Sequence, residues 1–453
     1  MRALLPWVTV AVLACTPAGR PPAASAARTP RPPNVLILLA DDVGVDNIAV
    51  YGEAEDAPPT PNIDALAARG VLFRQAHASP MCSPTRAGIL TGRYGFRYGI
   101  GTRIEPRTDT DLPPWEVTIP EALRAGARRR YRTAAVGKWH LGVARDPQHP
   151  LDSGFDSHRG SLYNLAHRPL DSGATQGFFS YAKAEDGRMV ESDTYATTDA
   201  VDDALRRIRK MREPWFLYLA FNAAHHPYHV PPAGLHTRDV DERSSEAALF
   251  KADVEAMDTE IGRLLDSIDP KVLARTTVVF LGDNGTPPSV KTGSEAGQPG
   301  KHSTYDGGVR VPLIVAGPPI RPRRRGSETS ALVNHTDLFA TVMEIAGAHV
   351  DVPEDSVSLV PYLRNPARPP LREWVYAEVF APNGSGPYTE EERMIRDARY
   401  KLIVRAGMGE ELYDLVADPR ETVDLLGGTL DAGEDAAYGR LRGWLEGLLA
   451  SEE

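Results

Sequence analysis

Five short runs rich in β-branched or aromatic residues recur along the chain and limit the folds open to it. They occupy residues 35–40, 133–136, 215–221, 277–281 and 311–316. The first four are almost continuously apolar, which is typical of strands buried on both faces, whereas Pro312 in the fifth predicts an edge or strand-entry position. Helical patterns lie between the runs, most clearly at residues 247–268. The alternation predicts an α/β fold with a largely parallel central sheet.

Polar residues follow four of the predicted strands at the point where each strand ends. They are Asp41 and Asp42, Lys138 and His140, His225 and His226, and Asp283 and Asn284. Each group alone has an ordinary structural explanation, such as a helix cap, a hairpin turn or a loop. Because the carboxyl ends of parallel strands form the ligand crevice of an open α/β sheet, we expect these side chains to converge.

The converging side chains have the chemistry of a cation site beside an oxyanion site. Carboxylate and amide oxygens suit Ca²⁺ or Mg²⁺ and suit Zn²⁺ poorly. The candidate ligands are Asp41, Asp42, Asp283 and Asn284. Cationic side chains beside such an ion would form a pocket for a small tetrahedral oxyanion. The candidates for that pocket are Arg86, Lys138 and Lys301.

The charge of the chain argues against a nucleic-acid partner. There are 51 Lys and Arg against 61 Asp and Glu, and the formal net charge is −10. A broad phosphate-binding surface needs an excess of basic residues, so we expect no nucleic acid to bind. With 42% hydrophobic and 25% charged residues, the composition is that of a soluble globular protein.

The two cysteines lie in different contexts. Cys15 closes a short apolar stretch that precedes a Pro- and Ala-rich run, which is the pattern of an export signal over residues 1–30. Residues 12–15 resemble a bacterial lipobox, in which Cys15 would carry a lipid anchor, whereas residues 24–26 offer an ordinary cleavage site. We expect an exported protein that is periplasmic, lipid-anchored at the cell envelope or secreted. Cys82 then has no intramolecular partner and needs an explanation.

The segment that begins at Cys82 carries a recognisable signature. Residues 82–93 contain Cys-Ser-Pro-Thr-Arg followed after four residues by Thr-Gly. This motif resembles that of the type I sulfatases, members of the alkaline phosphatase superfamily. Further segments match the family in the same order and cover nearly the whole mature chain: residues 40–44, 137–142, 154–156, 225–227, 283–285, 300–312 and 412–421.

The resemblance implies that Cys82 is a modified residue. A formylglycine-generating enzyme would oxidise it to 3-oxoalanine, or formylglycine, whose aldehyde hydrates to a geminal diol. One hydroxyl of the diol would attack sulfur, and deprotonation of the other would expel sulfate. A serine could attack but would be left as a stable ester. By the same resemblance the modified residue contacts the cation, which is expected to be Ca²⁺ with Mg²⁺ as the alternative. The cation ligands would be Asp41, Asp42, Asp283, Asn284 and modified Cys82.

The remaining roles implied by the resemblance belong to basic side chains. Arg86 would orient the diol, and Lys138 and Lys301 would bind sulfate oxygens. His140 would be the base for collapse of the diol. His225 would protonate the departing alcohol, alone or together with Lys301, and would contact substrate.

The resemblance also implies an architecture like that of alkaline phosphatase. A large mixed sheet flanked by helices would occupy residues 31–348, and a smaller domain would occupy residues 349–453. A Pro-rich segment at 361–370 supports that boundary. Beyond it, residues 374–380, 393–396 and 401–404 predict an antiparallel sheet, and residues 436–449 predict a helix.

Three functions remain open at this point. The first is hydrolysis of sulfate esters of aryl or carbohydrate alcohols. The second is hydrolysis of phosphodiesters or phosphonate monoesters by the same aldehyde, and the third is sulfoglycan binding without catalysis. The acidic net charge favours a small or chain-end substrate over a long polyanion. Residues 164–190 and 226–245, with His226 and His229, match nothing in the family and are expected near the substrate entrance.

Overall fold

The computed structural model describes Trp7, Thr9 and residues 31–105, 110–142, 146–165 and 177–451. The predicted export signal and Cys15 lie outside the described residues. Pro32–Glu453 form one compact unit, and the predicted division near residue 348 stays a prediction. Among the described residues, no helix is both long and apolar enough to cross a bilayer.

A mixed sheet forms the centre of the described structure. Its strands are β1 (Asn34–Ala40), β2 (Gly70–His77), β3 (Arg132–Gly137), β4 (His158–Gly160), β5 (Tyr181–Glu185), β6 (Arg188–Ser192), β7 (Trp215–Ala220), β8 (Thr276–Gly282), β9 (Leu313–Ala316) and β10 (Ser327–Asn334). Their order across the sheet is β10, β2, β9, β8, β1, β7, β3, β4, β5 and β6. Five strands that are adjacent in the sheet run parallel to one another, in the spatial order β8, β1, β7, β3 and β4. The predicted α/β fold with a largely parallel sheet is therefore confirmed.

Helices cover both faces of this sheet. They are α1 (Pro61–Ala68), α2 (Cys82–Thr91), α3 (Ile119–Gly126), α4 (His149–Asp152), α5 (Ala196–Lys210), α6 (Glu246–Ser267), α7 (Pro270–Leu273), α8 (Asp306–Val309), α9 (Asp337–Ala346) and α10 (Val360–Arg364). Successive side chains of β1 point to opposite faces, so Ile37 packs in one core with α2 and α9, and Leu38 packs in another with α5 and α6. Burial on both faces explains why β1 is apolar from Val35 onward.

The fifth predicted strand is only partly as expected. Pro312 lies immediately before β9, which confirms the strand-entry position. The alternative edge position is wrong, because β9 lies between β2 and β8 and is antiparallel to both. Pro312 is compatible with an interior strand because it stands outside the ladder, where its carbonyl accepts a hydrogen bond from Gly282 N at 3.1 Å.

A second, antiparallel sheet follows in the C-terminal part. Its strands are β11 (Val375–Ala381), β12 (Glu390–Arg396), β13 (Tyr400–Arg405) and β14 (Gly409–Asp414), and α11 (Ala432–Ala450) packs on it. Leu402 and Leu441 share its core. The buried ammonium of Lys401 donates to Asp306 Oδ1 at 3.2 Å and so connects this sheet to the segment that precedes β9. The predicted strands and helix are confirmed, and β14 is an addition.

Three buried histidines that are not among the predicted site residues predict a loss of stability in acid. Burial lowers the pKa of His77 to about 3, of His158 to about 4 and of His335 to about 3. Because the folded pKa lies below the unfolded value, the unfolded chain takes up protons first as the pH falls below about 6.5. Each histidine should then cost about 1.4 kcal/mol of unfolding free energy per pH unit until its folded pKa is reached. Urea unfolding at pH 7 and pH 5 measures this slope. Replacing His158 by Asn should reduce it, and an equal slope in that variant would contradict the assignment.

Candidate active site

Two aspartates stand at the carboxyl end of β1. The side chains of Asp41 and Asp42 are both buried, and the backbone of Asp42 adopts the left-handed region at φ 64°. Non-glycine residues adopt this region at a cost, and surrounding structure must hold them in it. Here Asp42 N donates to Asp283 Oδ1 at 3.0 Å. The turn after β1 is thus fixed by the residue that follows β8.

The end of β8 completes this acidic cluster. Parallel pairing sets Ala40 beside Gly282, so the residues after the two strands are neighbours. Asp283 and Asn284 are fully buried, and Asn284 Nδ2 donates to Asp42 Oδ1 at 2.9 Å. The convergence predicted from the strand ends is confirmed for these carboxylates and the amide.

Cys82 lies against the same cluster at the first position of α2. Its side chain is 1% exposed, and its Sγ lies within 4.8 Å of a carboxylate oxygen of Asp41 and of Asp283. Burial raises the pKa of the Cys82 thiol, so at neutral pH the residue is a thiol rather than a thiolate. The unmodified side chain is therefore a poor nucleophile in this position.

Two oxygens of the cluster fit the ligand set of a hard cation. Asp41 Oδ1 and Asn284 Oδ1 are buried and have no hydrogen-bond partner in the described structure. Buried oxygens without donors are rare and call for an explanation such as an ion. Burial, and then the charge of Asp283, raise the pKa of Asp41 to about 7, which a nearby divalent charge would counteract. The residues present therefore fit Ca²⁺ or Mg²⁺, to be held by the oxygens of Asp41, Asp42, Asp283 and Asn284.

Arg86 and Lys138 place positive charge against the carboxylates of Asp283 and Asp41. Arg86, on α2 one turn after Cys82, donates to Asp283 Oδ2 from Nη2 at 2.7 Å and from Nε at 3.2 Å. Its Nη1 donates to the Lys138 carbonyl at 3.0 Å, and Lys138 Nζ contacts Asp41. Both cations are buried. Their charges are held in fixed positions beside Cys82, where an anion would be bound.

Lys301 forms a further fixed cation. Its Nζ donates to Asp42 Oδ1 at 2.6 Å. Burial alone lowers the pKa of Lys301, but the adjacent Asp42 carboxylate outweighs burial and raises the pKa above its ordinary value. A permanently charged ammonium favours binding of sulfate oxygens over proton donation at neutral pH.

His140 is held in one tautomer. Its Nε2 lies 3.1 Å from the Ile104 carbonyl, which can only accept, so Nε2 carries the proton and Nδ1 keeps its lone pair. Ser83 fixes the same contact, because its hydroxyl donates to the His140 carbonyl at 2.9 Å and accepts from Ile104 N at 3.0 Å. Burial lowers the pKa of His140 well below its ordinary value. The ring is therefore neutral and can accept a proton at Nδ1.

His225 lies at the open side of the site. Its side chain is 15% exposed, more than that of any other predicted site residue, and its Nε2 is 3.9 Å from Asp42 Oδ2. Its Nδ1 donates to the His226 carbonyl at 2.6 Å, which leaves Nε2 directed at the cluster. Burial lowers the pKa of His225 despite the opposing charge of Asp42. A substrate would therefore reach the cluster on the His225 side.

The structure brings all the predicted site residues together, and it separates two neighbours from them. His226 is exposed, and His229 instead packs with Tyr195 and Asp253. The sequence analysis missed Ser83 and Ile104, which orient His140. Ser83 occupies a variable position of the matched motif, so only its contacts identify it.

Comparisons with known proteins identify the family of the chain. A family model described as Sulfatase matches residues 33–348, and one described as N-sulphoglucosamine sulphohydrolase, C-terminal, matches residues 294–432. N-acetylgalactosamine-6-sulfatase of Sus scrofa is 34% identical, over 70% of this chain and 63% of that protein. Arylsulfatase A of Homo sapiens is 29% identical, over 89% of this chain and 85% of that protein.

Solved structures show the same fold. The crystal structure of Ps i-CgsB in complex with k-i-k-neocarrahexaose has a TM-score of 0.73 and 25% identity, and the match covers 91% of this chain and 93% of that one. The match to the Sus scrofa enzyme spans 63% of that protein's length, which is less than two thirds. The Sulfatase model covers most of the chain and includes every residue of the site just described. The chain therefore belongs to the sulfatase family.

Proposed function

We propose that the protein hydrolyses sulfate esters of carbohydrate or aryl alcohols to the alcohol and inorganic sulfate. The observation that carries the proposal is the position of Cys82, whose Sγ lies within 4.8 Å of carboxylate oxygens of Asp41 and Asp283 and beside buried cations. The named relatives are sulfatases, and one structure of similar fold was solved in complex with its substrate D-glucosamine-2-N,6-O-disulfate. These facts support a sulfated carbohydrate as the substrate class.

The proposed nucleophile is formylglycine made from Cys82 by a separate formylglycine-generating enzyme. Its hydrated aldehyde would supply two hydroxyls, one for attack on sulfur and one for release of sulfate. A bound Ca²⁺, or Mg²⁺ as the alternative, would supply Lewis-acid stabilisation of the charge on the sulfate oxygens. The buried position of residue 82 excludes bulk water from the reaction.

The other side chains would act on the substrate by charge and proton transfer. Lys138 and Lys301 would bind sulfate oxygens, and Arg86 would keep the residue at position 82 oriented through their common α2 helix. His140 would accept a proton at Nδ1. His225 stands at the accessible side, and once Nε2 has taken up a second proton beside the Asp42 carboxylate, the ring would pass that proton to the leaving oxygen.

A variant of His225 separates leaving-group protonation from the other steps. With His225→Gln we expect kcat on an alkyl sugar sulfate to fall by about a hundredfold or more, because its alkoxide leaves poorly without a proton. An activated aryl sulfate, whose phenolate leaves readily, should lose much less. Steady-state kinetics on both substrates measure the difference. His226→Gln is the matched control because the neighbouring ring is exposed, and equal losses on both substrates would argue against the acid role.

The class of ester is tested by rates on matched aryl substrates. We expect kcat/KM to be higher on an aryl sulfate than on the corresponding aryl phosphodiester. A preference for the phosphodiester, or for a phosphonate monoester, would replace the sulfatase proposal. If protein that carries the aldehyde hydrolyses neither ester but still binds a sulfated sugar, the result would indicate a binding protein.

We propose in addition that the chain is exported and meets its substrate outside the cytoplasm. The apolar stretch before Cys15 and the small-residue run after it support this proposal. Labelling cells with a radioactive fatty acid distinguishes an anchored from a cleaved product. Label lost in Cys15→Ser would assign the anchor to Cys15, and unlabelled protein in the periplasm or medium would indicate ordinary cleavage.

A further inference from the structure

The amino ends of the parallel strands carry an unusual concentration of basic residues. These ends form the edge of the sheet opposite the active site, and β1 alone separates the two edges by about 20 Å. Basic residues stand just before β2, β3, β7, β8 and β10. They are Arg69, Arg128, Arg129, Arg130, Arg209, Lys210, Arg212, Lys271, Arg275, Arg321, Arg323, Arg324 and Arg325, here called the basic face. All are exposed except Arg324, which is half-buried.

Few carboxylates compensate this charge. Arg275 pairs with Glu213 at 2.6 Å and Arg130 lies 3.6 Å from Asp156, and no other member of the basic face has an ion pair in the described structure. Asp152 and Asp156 precede the short strand β4, and Asp266 and Asp269 lie near Lys271, where Asp269 caps a helix. The basic face thus concentrates unpaired positive charge in a protein whose net charge is −10. Like charges held together without partners raise the free energy of the isolated fold, so their clustering points to an anionic partner.

An apolar cavity opens among these arginines. It has a volume of about 730 Å³ and is lined by apolar residues that include Leu265, Ile268 and Ile320, with Arg69 and Arg321 also in its wall. Charge alone would suit any polyanion. Apolar surface beside the charge suits an amphiphile, whose head group meets the arginines and whose acyl chain can enter the cavity.

The chain also enters the fold at this face. The carbonyl of Pro33 accepts a hydrogen bond from the Tyr131 hydroxyl at 2.7 Å, directly after the Arg128 to Arg130 run. Asn34 N donates to the carbonyl of Arg275 at 2.9 Å. Pro33 and Asn34 therefore lie at the basic face and not at the active-site edge.

We propose that the basic face binds an anionic lipid bilayer and turns the active-site crevice toward the aqueous side. Lys and Arg near an anionic membrane surface each contribute to binding, and the contribution is screened by salt. In this orientation the active site faces the solution. A sulfated polymer could therefore reach the site even though the acidic remainder of the protein repels it. The proposal concerns a surface remote from the catalytic residues and does not depend on the sulfatase activity.

Cosedimentation of the purified full-length protein with lipid vesicles tests the proposal. We expect binding to vesicles of phosphatidylcholine mixed with phosphatidylglycerol, weak binding to phosphatidylcholine alone, and loss of binding as salt is raised. The triple variant Arg321→Glu, Arg323→Glu and Arg325→Glu should weaken binding by about tenfold or more. The double variant Arg128→Glu and Arg129→Glu is a second, independent alteration of the same face.

The matched control for the triple variant is a second triple variant with the same change of net charge on another part of the surface. Arg243, Arg420 and Arg442 are solvent-accessible and lie outside the basic face, so their replacement by Glu should leave binding nearly unchanged. Turnover of a small aryl sulfate should be unaltered in all these variants, which verifies their folding. Equal binding to both vesicle types, or equal losses in test and control variants, would overturn the proposal. Binding of heparin through the same arginines without binding to vesicles would assign the face to a polyanionic glycan instead.

Discussion

Replacing Cys82 by Ala is expected to reduce kcat by about 10⁴-fold or more, because the variant lacks the side chain that becomes the nucleophile. The change removes one buried sulfur atom, and Cys82 makes no hydrogen bond that other residues depend on in the described structure. We therefore expect a urea-unfolding midpoint close to that of the parent protein. Steady-state rates on an aryl sulfate and urea titration measure the two quantities.

A serine at the same position provides the matched comparison. In Cys82→Ser a single hydroxyl could attack sulfur but could not eject the sulfate afterwards. We expect at most one equivalent of phenol per protein chain in a pre-steady-state experiment, followed by no turnover. Continued turnover in either variant would show that another group is the nucleophile.

Loss of a cation ligand is expected to have the second largest effect. In Asp283→Ala we expect the cation to bind about a hundredfold more weakly or not at all, because one of the few carboxylate ligands is removed. The same substitution removes the carboxylate oxygen that accepts two hydrogen bonds from buried Arg86, which should cost about 3–5 kcal/mol of unfolding free energy. Elemental analysis after dialysis and denaturant titration measure the two effects separately.

Two further variants distinguish metal binding from general damage. Asn284→Ala removes an oxygen that has no hydrogen-bond partner and the Nδ2 donation to Asp42 Oδ1, but it leaves the ion pair of Arg86 with Asp283 intact. Cation affinity should therefore fall while stability changes less than in Asp283→Ala. Asp46→Asn is the control, because this buried carboxylate accepts from the Thr286 hydroxyl at 2.7 Å and stands outside the acidic cluster. Full metal content in Asn284→Ala, or its loss in Asp46→Asn, would refute the ligand assignment.

The central part of the fold was predictable because its strands are buried on both faces. β1, β7 and β8 each contain an almost continuous apolar run and are recognisable without any partner. Among the strands that escaped prediction, β6 is mostly exposed and β4 has only three residues. β2 escaped as well, although it is largely buried, because Arg74 and Gln75 interrupt its apolar run. Direction also escaped prediction, because only pairing with β2 and β8 makes β9 antiparallel and interior.

Which residues form the site was predictable for a different reason. Its carboxylates follow parallel strands, so topology alone brings Asp42 and Asp283 together. The proton positions on His140 were not predictable, because they depend on the Ile104 carbonyl, which no pattern singles out. The basic face was hidden as well, since its arginines are spread over five separate segments of an acidic chain and meet only when the sheet forms.

The measurement that tests the account most directly is the mass of the tryptic peptide spanning residues 75–86 from protein purified out of its native host. The account predicts that the cysteine thiol of residue 82 is replaced by an aldehyde or its hydrate, in proportion to the specific activity of the preparation. An aldehyde-reactive probe should label that peptide and abolish turnover. An intact Cys82 thiol throughout a preparation that hydrolyses sulfate esters would contradict the account.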